Sequence, residues 1–403
     1  MQTFKLPLLK DHHTHPTIGA AFTGGINIRN IEQKSEVIRL IQASTEQLTV
    51  VFGWNSSAFR FTEAELETLP PVVICNLSLH GFLLNSAAKQ QLEPDYPEIV
   101  ANIDNPVWME ANIYTILKFL ANIQPFSEQR IRDFFEQQLL PLGVWYAEDM
   151  LLPHKDLIHL LEQMGYAERT RFWADESILK TLTPDELGKI AGIKLFTDGA
   201  IGASTAAISQ PFLSGEEGVL IFSDAELYLK MQQLGQYRLP FAIHAIGDVS
   251  TRQVVNTLAR LRAEDAAFPA VRMEHCQFID KDVAVKAKAL GMVLSMQPNF
   301  NSDSIHYADR LPQPFLSRNN PFRMLIDEVG FVPGVDLLFG SDGMPHGAEY
   351  ALQQVLFPPF PAQALTVDEF QQGYCLPSMA QGYIEVAVDE LQKTVSVDVY
   401  PAR

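Results

Sequence analysis

FAIHAIGDVSTRQVVNTLARLRAEDAAFPAVRMEHCQF, residues 241–278, holds the unit from which the fold follows. FAIHAI (241–246) and RMEHCQF (272–278) are short apolar runs with the length of buried strands. STRQVVNTLARLRAE (250–264) between them has the length and amphipathic pattern of a helix. The pattern continues downstream: DKDVAVKAKAL (280–290), VLSMQP (293–298), NPFRMLIDEV (320–329) and DLLFGSD (336–342) again alternate helix and strand. Upstream, EQRIRDFFEQQLL (128–140) precedes GVWYAED (143–149), and HKDLIHLLEQMG (154–165) precedes TRFWADE (170–176). TPDELGKIAG (183–192) precedes IKLFTD (193–198), with Gly192 read as the helix stop. FKLPLLKD (4–11) supplies a first strand. Strands are predicted at 4–11, 143–148, 170–174, 193–197, 241–246, 272–275, 293–297 and 336–341. Eight βα units predict an α/β fold, a closed (β/α)₈ TIM barrel with a parallel sheet.

One spacing is irregular. The 122 residues of 20–141 separate the first strand from the second, and removing them from 403 leaves 281, near the roughly 250 of a typical barrel. They read as an α/β insertion after strand 1, with strands in TVVFG (49–53) and PVVICNLSL (71–79) and helices near 32–44 and 111–122. An insertion there rises from the catalytic face, so a lid or pocket wall is expected. The expected division is a barrel over 1–19 and 142–380, an insertion subdomain over 20–141, and a tail over 381–403 whose alternation permits remnant β strands.

Composition narrows the class. Apolar residues are 47% and charged residues 19%, as in a globular protein, and the formal net charge is −18. With no basic run, neither nucleic acid nor an anionic membrane is expected as a partner. Cys75, Cys276 and Cys375 are odd in number and widely spaced, which predicts a reducing, cytoplasmic setting. The opening MQTFKLPLLK carries no signal-peptide core, and no apolar run has the length of a membrane span.

Chemistry in a barrel sits at the C-terminal ends of the strands. The first ends Asp11-His12-His13-Thr14-His15-Pro16. Strand alternation puts Asp11, His13 and His15 on one face and His12 elsewhere, so His13 and His15 suit chelation of one Zn²⁺; a His-rich surface turn is the plainer reading. His244, His275 and Asp342 end strands five, six and eight. Singly these read as hydrogen-bonded histidines and a helix N-cap; together they read as a ligand set. Lys194 lies inside the apolar run Ile193-Lys194-Leu195-Phe196. It is either a snorkelling lysine or one neutral enough to take up carbon dioxide as a carbamate, a carboxylate that bridges two cations. Cys276, beside His275, reads as core.

The segments DHHTHP (11–16), GWNSSAF (53–59), HGFLLNSAA (80–88), GVWYAEDM (143–150), IKLFTDGAIGASTAA (193–207), IHAIGD (243–248), RMEHCQF (272–278), SMQPNF (295–300), GSDGMP (340–345) and LTVDEFQQGY (365–374) give the chain its resemblance. It resembles the amidohydrolase superfamily, in the branch of N-substituted formamide deformylase and the YtcJ-type hydrolases (amidohydrolase family 3). The resemblance implies a barrel holding one or two divalent metals, usually zinc. His13 and His15 would hold the more buried ion, His244 and His275 the more exposed one. Lys194, carbamylated, would bridge them, and Asp342 would touch the metal and shuttle protons. His80 and Asn85 match a motif in the insertion and are expected to contact substrate. Asp198 is expected to be a supporting or substrate group. Trp54, Trp108 and Phe300 join His80 and Asn85 as expected pocket lining. Relatives begin with tens of residues before the His-x-His segment and end by completing a β-sandwich; here ten residues precede Asp11, so the sandwich is expected to be reduced or absent.

The expected reaction is hydrolysis of a non-peptide C–N bond, an amide or cyclic amide of a small molecule, by a metal-bound hydroxide. A mononuclear hydrolytic deaminase is the alternative, although His244-Ala245-Ile246-Gly247-Asp248 lacks the glutamate such enzymes carry. A non-catalytic barrel descendant is the third reading, and descendants of that kind lose ligands. A homo-oligomer is compatible with the sequence.

Overall fold

In the computed structural model of the protein, residues 2–77, 79, 81–123 and 127–402 are described. FAIHA and VRMEH are buried at every position, as strands covered on both faces are. They are the fifth and sixth of eight barrel strands: β1 (Leu9–Thr14), β2 (Val144–Asp149), β3 (Thr170–Ala174), β4 (Gly192–Phe196), β5 (Phe241–Ala245), β6 (Val271–His275), β7 (Val293–Met296) and β8 (Leu337–Phe339). Each pairs in parallel with its neighbour in sequence order. Register sets the interior layers: Ala242 lies between Lys194 and Arg272, and His244 between Phe196 and Glu274.

The sheet closes where β8 meets β1. The Asp342 N–H donates to the His13 carbonyl at 2.6 Å, and the Ser341 N–H donates to Asp11 Oδ1 at 2.9 Å. Gly340 permits this approach, since a Cβ there would lie 2.4 Å from the His13 nitrogen. Gly192 is not a helix stop. It opens β4, where a Cβ would lie 2.2 Å from the Pro240 carbonyl oxygen.

The single strand expected over 4–11 is two strands. Gln2–Pro7 pairs antiparallel with Gly382–Asp389, which pairs with Thr394–Pro401. The chain breaks at Leu8 and re-enters as β1, because Pro7 has no N–H with which to continue a ladder. The terminal sandwich is therefore reduced to one three-stranded sheet. Its Ile384, Val386, Val388 and Val395 pack on the barrel core.

Between β1 and β2 lies a third, four-stranded sheet: Ile26–Asn27, Thr49–Trp54, Val72–Asn76 and Phe82–Leu84, the last antiparallel. Alternation splits its apolar side chains between two layers. Val50, Val73 and Cys75 pack with Ile116 and Leu120 of the helix Ile113–Asn122. Val51, Val72 and Ile74 pack with Val37 and Ile41 of the helix Lys34–Gln42. Cys75, Cys276 and Cys375 are free and buried. Among the described residues no helix is long and apolar enough to cross a membrane.

Candidate metal centre

Glu274 is the anchor of the site, and the sequence reading passed over it. Arg272 and Glu274 sit two apart on β6 and so share a face, which is buried inside the barrel. The Glu274 carboxylate accepts from His13 Nδ1 at 2.6 Å and from Arg272 Nε at 2.6 Å. Arg272 also donates to Glu148 at 2.8 Å and to the His12 carbonyl at 3.0 Å, and it stacks on Trp173 at 4.6 Å. Trp173 and His12 complete the bonding of Glu148, at 2.8 and 3.1 Å. Two carboxylates around one guanidinium, with their other acceptor sites filled, form a buried charge network that is stable because it is satisfied.

His12 and His13 thus both reach interior carboxylates, and Asp11 does not join the histidines. The expected alternation fails because the register of β1 against β2 shifts between Asp11 and Thr14. Asp11 instead accepts from the His13 and Ser341 N–H groups and meets the Ser341 and Tyr374 hydroxyls at the seam. Burial pushes its carboxyl up to about 7 against those four hydrogen bonds.

His275 reaches the site by a backbone twist. It follows inward-facing Glu274, so regular alternation would turn it outward. Its φ of +71°, followed by +52° at Cys276, turns the ring back toward the barrel mouth. The ring lies 4.5 Å from both the His13 and the His244 rings, centroid to centroid. Asp342 is likewise left-handed, at φ +54°. Ligand atoms of His13, His275 and Asp342 all lie within 4.8 Å of one another. Asp342 Oδ1 is 3.3 Å from His15 Nε2 and 3.6 Å from His13 Nε2. His244 lines the same space, but its Nε2 donates to the Gly199 carbonyl at 3.0 Å.

Burial holds His13 and His275 well below the usual histidine range, so both are neutral and carry a free lone pair. Glu274 takes the Nδ1 proton of His13, and Gln297 Oε1 takes that of His275 at 2.8 Å, which leaves each Nε2 as the ligating atom. Burial works to raise the Asp342 carboxyl, but the His15 hydrogen bond and the charge of Lys194 among its basic neighbours hold it below its ordinary value. Lys194 is fully buried and, among the described residues, Nζ has no hydrogen-bond partner; it lies 4.9 Å from the centroid of the Phe196 ring. Burial brings it down to about 8 against the pull of Glu274 and Asp342. Neutral imidazoles with fixed tautomers, an ionised aspartate and an orphaned amine are a donor set that fits divalent cations.

Two expected substrate contacts do not reach this space. Asn85 caps the helix Ser86–Leu92 by accepting from the Ala88 N–H, and it spends its amide on the Leu66, Leu69 and Pro70 carbonyls. Asp198 accepts from the Ala207, Ile246 and Gly247 N–H groups at 2.8–3.0 Å. It ties the loop after β4 to the end of β5, beneath His244. Its carboxyl is pushed up to about 6 by burial. His80 lies outside the described residues. Trp54 is in the core of the insertion, donating to the Phe59 carbonyl at 2.9 Å, and Trp108 packs at the edge of its other layer. Phe300 stacks on His275 at 6.1 Å and faces a small side cavity that also touches Asp342.

The family model described as "Amidohydrolase family" matches residues 125–350, more than half of the chain. The chain belongs to the amidohydrolase family. The matched span carries Lys194, His244, His275 and Asp342. YtcJ of Bacillus subtilis (strain 168), named as an amidohydrolase, is 26% identical over 326 residues, which are 72% of this chain and 60% of that protein. The chain thus spans about 60% of the length of this curated relative. Among solved structures, an uncharacterized metal-dependent hydrolase from Pyrococcus horikoshii OT3 superposes with a TM-score of 0.65 at 20% identity, covering 92% of this chain and 80% of that one. An uncharacterized metal-dependent hydrolase from Pyrococcus furiosus gives 0.64 at 18% identity over the same shares. These two likenesses are likenesses of fold.

The site of this family member opens into a cavity of about 240 Å³ that His13, His15, His244, His275 and Asp342 line together. The insertion supplies much of the opposite wall, including Arg29, Phe52, Leu117 and Phe134. Arg29 and His346, a cavity residue 2.6 Å from the Thr14 hydroxyl, escaped the sequence reading. Neither sits in a strand-end pattern that would have singled it out.

Proposed function

We propose that this chain is a metal-dependent hydrolase of a small molecule, cleaving a non-peptide C–N bond in an amide or cyclic amide. The observation that carries the reading is the convergence of His13, His275 and Asp342 within 4.8 Å at the mouth of a barrel. His13, His15, His244, His275 and Asp342 would hold one or two divalent ions, zinc by the nature of the donors, with carbamylated Lys194 as the bridge. A bound cation supplies Lewis acidity and a water acidic near neutral pH. Asp342, ionised at neutral pH, takes the attacking water's proton and returns it to the leaving nitrogen. Glu274 and Gln297 keep the two imidazoles in one tautomer throughout. Lys194 suits a carbamate because an unpaired buried ammonium is costly and a neutral amine is the form that reacts with carbon dioxide. Free, buried cysteines fit a reducing, cytoplasmic setting.

The test is a screen of formamides, N-acyl amines and cyclic imides with Zn²⁺ and bicarbonate supplied, run beside Asp342→Asn. The wild type should bind one to two equivalents of metal and turn over one of these classes. Asp342→Asn should keep metal and lose about 10²–10⁴-fold in rate. Elemental analysis finding no metal after reconstitution would refute the proposal.

A further inference from the structure

A second, smaller cavity adjoins the metal centre among the loops that follow β4, β5, β6 and β7. Ala200, Ile201, Ile246, Phe300, Asp303 and Tyr307 line it. His244, Asp342 and Met344 line both this cavity and the large one, so the metal centre stands at the partition between them. The large cavity holds about 240 Å³ and the small one about 30 Å³, room for about two water-sized groups. Asp303 gives the small cavity its charge. It opens the short helix Asp303–His306, is mostly buried, and accepts one side-chain hydrogen bond, from the Gln277 amide at 2.9 Å. Gln277 shares the same nitrogen with Asn319 at 3.0 Å. Among the described residues no basic side chain reaches the carboxylate: Arg310, on the same loop, turns to the Gly202 carbonyl and to the Ser56 and Ser57 hydroxyls. Burial, reinforced by the charge of Asp342, pushes the Asp303 carboxyl up to about 7 against the Gln277 bond. A carboxylate with one shared neutral donor is an incomplete arrangement, and it gains most from a small cationic N–H donor.

We propose that the side cavity seats the leaving amine, that Asp303 binds it as an ammonium, and that the substrate class is an amide joining a bulky hydrocarbon acyl group to ammonia or a short amine. The assignment of a leaving group rests on the hydrolase reading; the cation site itself does not. Hydrolysis breaks the C–N bond, gives the water oxygen to the acyl carbon and leaves both water protons on nitrogen. One proton passes through Asp342 and the other comes from the newly formed carboxylic acid, so a neutral amide ends as a carboxylate and an ammonium. Asp342 faces both cavities, and the bond it serves therefore lies across the partition, with one half of the substrate on each side. Size decides which half goes where. The large cavity, walled by Ile18, Phe22, Phe52 and Leu117, takes the hydrocarbon; the small one takes the nitrogen with at most a short alkyl group. Charge agrees with size, because the half that becomes positive is the half beside Asp303. Before cleavage, the N–H of a primary or singly substituted amide donates to the same carboxylate.

The experiment uses the full chain in two arms. In the first, metal-stripped protein is titrated calorimetrically with 4-phenylbutylammonium and with neutral 4-phenyl-1-butanol. In the second, metal-loaded protein is given 3-phenylpropanamide and its isomer N-(2-phenylethyl)formamide, which place the same phenyl group on opposite sides of the amide. Wild type should bind the cation in preference to the alcohol, and its kcat/KM should favour the primary amide by about 10-fold or more. Asp303→Asn keeps an oxygen for Gln277 and removes the charge; it should lower the cation-to-neutral ratio about 10- to 100-fold while metal content stays at the wild-type level. Equal affinity for the two ligands in wild type, or a ratio unmoved in Asp303→Asn, overturns the inference; a ratio lost only in Asp342→Asn would place the cation on the metal ligand instead. Equal rates on the two isomers, or a preference for the formamide, overturns it and leaves the hydrolase reading standing. Cation-selective binding lost in Asp303→Asn with no turnover of any amide upholds the cation site and sinks the hydrolase reading.

Discussion

Replacing Glu274 by Gln removes one charge and exchanges one oxygen for an NH₂ group, with no change of volume. The two oxygens of Glu274 have different partners: Oε2 accepts from His13 Nδ1 and Oε1 from Arg272 Nε, both at 2.6 Å. Glutamine has one acceptor, so whichever way it turns, one donor faces another donor in a fully buried place. A hydrogen bond to a charged group is worth about 1.5–3 kcal/mol, and leaving its donor unsatisfied costs a similar amount. Arg272 keeps Glu148 and the His12 carbonyl, so the loss should stay near that size and the fold should survive. At the metal site, His13 loses the group that holds its proton on Nδ1, and removal of such a supporting residue lowers metal affinity by about 10–100-fold. Urea unfolding of the metal-stripped protein reads the first effect; competition with a chromophoric zinc chelator reads the second. A Glu274→Gln protein that is destabilised but binds zinc as tightly as wild type would refute the claim that Glu274 prepares His13 as a ligand.

Two further outcomes are expected. Lys194→Ala should lose one equivalent of metal together with activity, and short carboxylic acids that occupy the vacated space should partly restore both; full activity and metal in the variant would leave a one-metal site without a carbamate. Asp11→Asn tests the seam between β1 and β8. The folded carboxyl titrates near 7 rather than at its ordinary 3.8, so its favourable contribution is complete below pH 3.8 and is lost as pH rises to about 7, by about 4 kcal/mol. Asparagine keeps one oxygen for the His13 and Ser341 N–H groups and offers its NH₂ to the Ser341 and Tyr374 hydroxyls. The variant should therefore gain stability relative to wild type between pH 4 and pH 7, and parallel pH profiles in urea melts would refute the assignment.

The barrel was legible because each βα unit announces itself locally. A strand such as FAIHA, buried on both faces, is apolar but for His244, and the helices between the strands have their own period. The candidate ligands were legible for the same reason: His13, His15, His244, His275 and Asp342 stand at strand ends, and in this architecture strand ends converge. Gly340 and Gly192 show how little more the chain could reveal, since each is required by a backbone from a distant segment.

What alternation could not supply was direction where the strand stops being regular. The shift in register at Asp11–Thr14 sends His12 and His13 to the same interior network, and the left-handed turn at His275 reverses a side chain that strand parity would point outward. Asn85 stands in a motif that suggested a substrate contact, yet its five polar partners are backbone groups of its own subdomain. Glu274 and Arg29 belong to the opposite case: in the sequence they are unremarked charges, and their partners His13 and Gly343 lie 261 and 314 positions away. The sequence by itself determined the element order, the barrel and the residue types at its mouth, because these depend on contacts within a few residues. Only the tertiary structure decided which ring nitrogen is free and which neighbour each charge meets, because those depend on what distant segments bring within 3 Å.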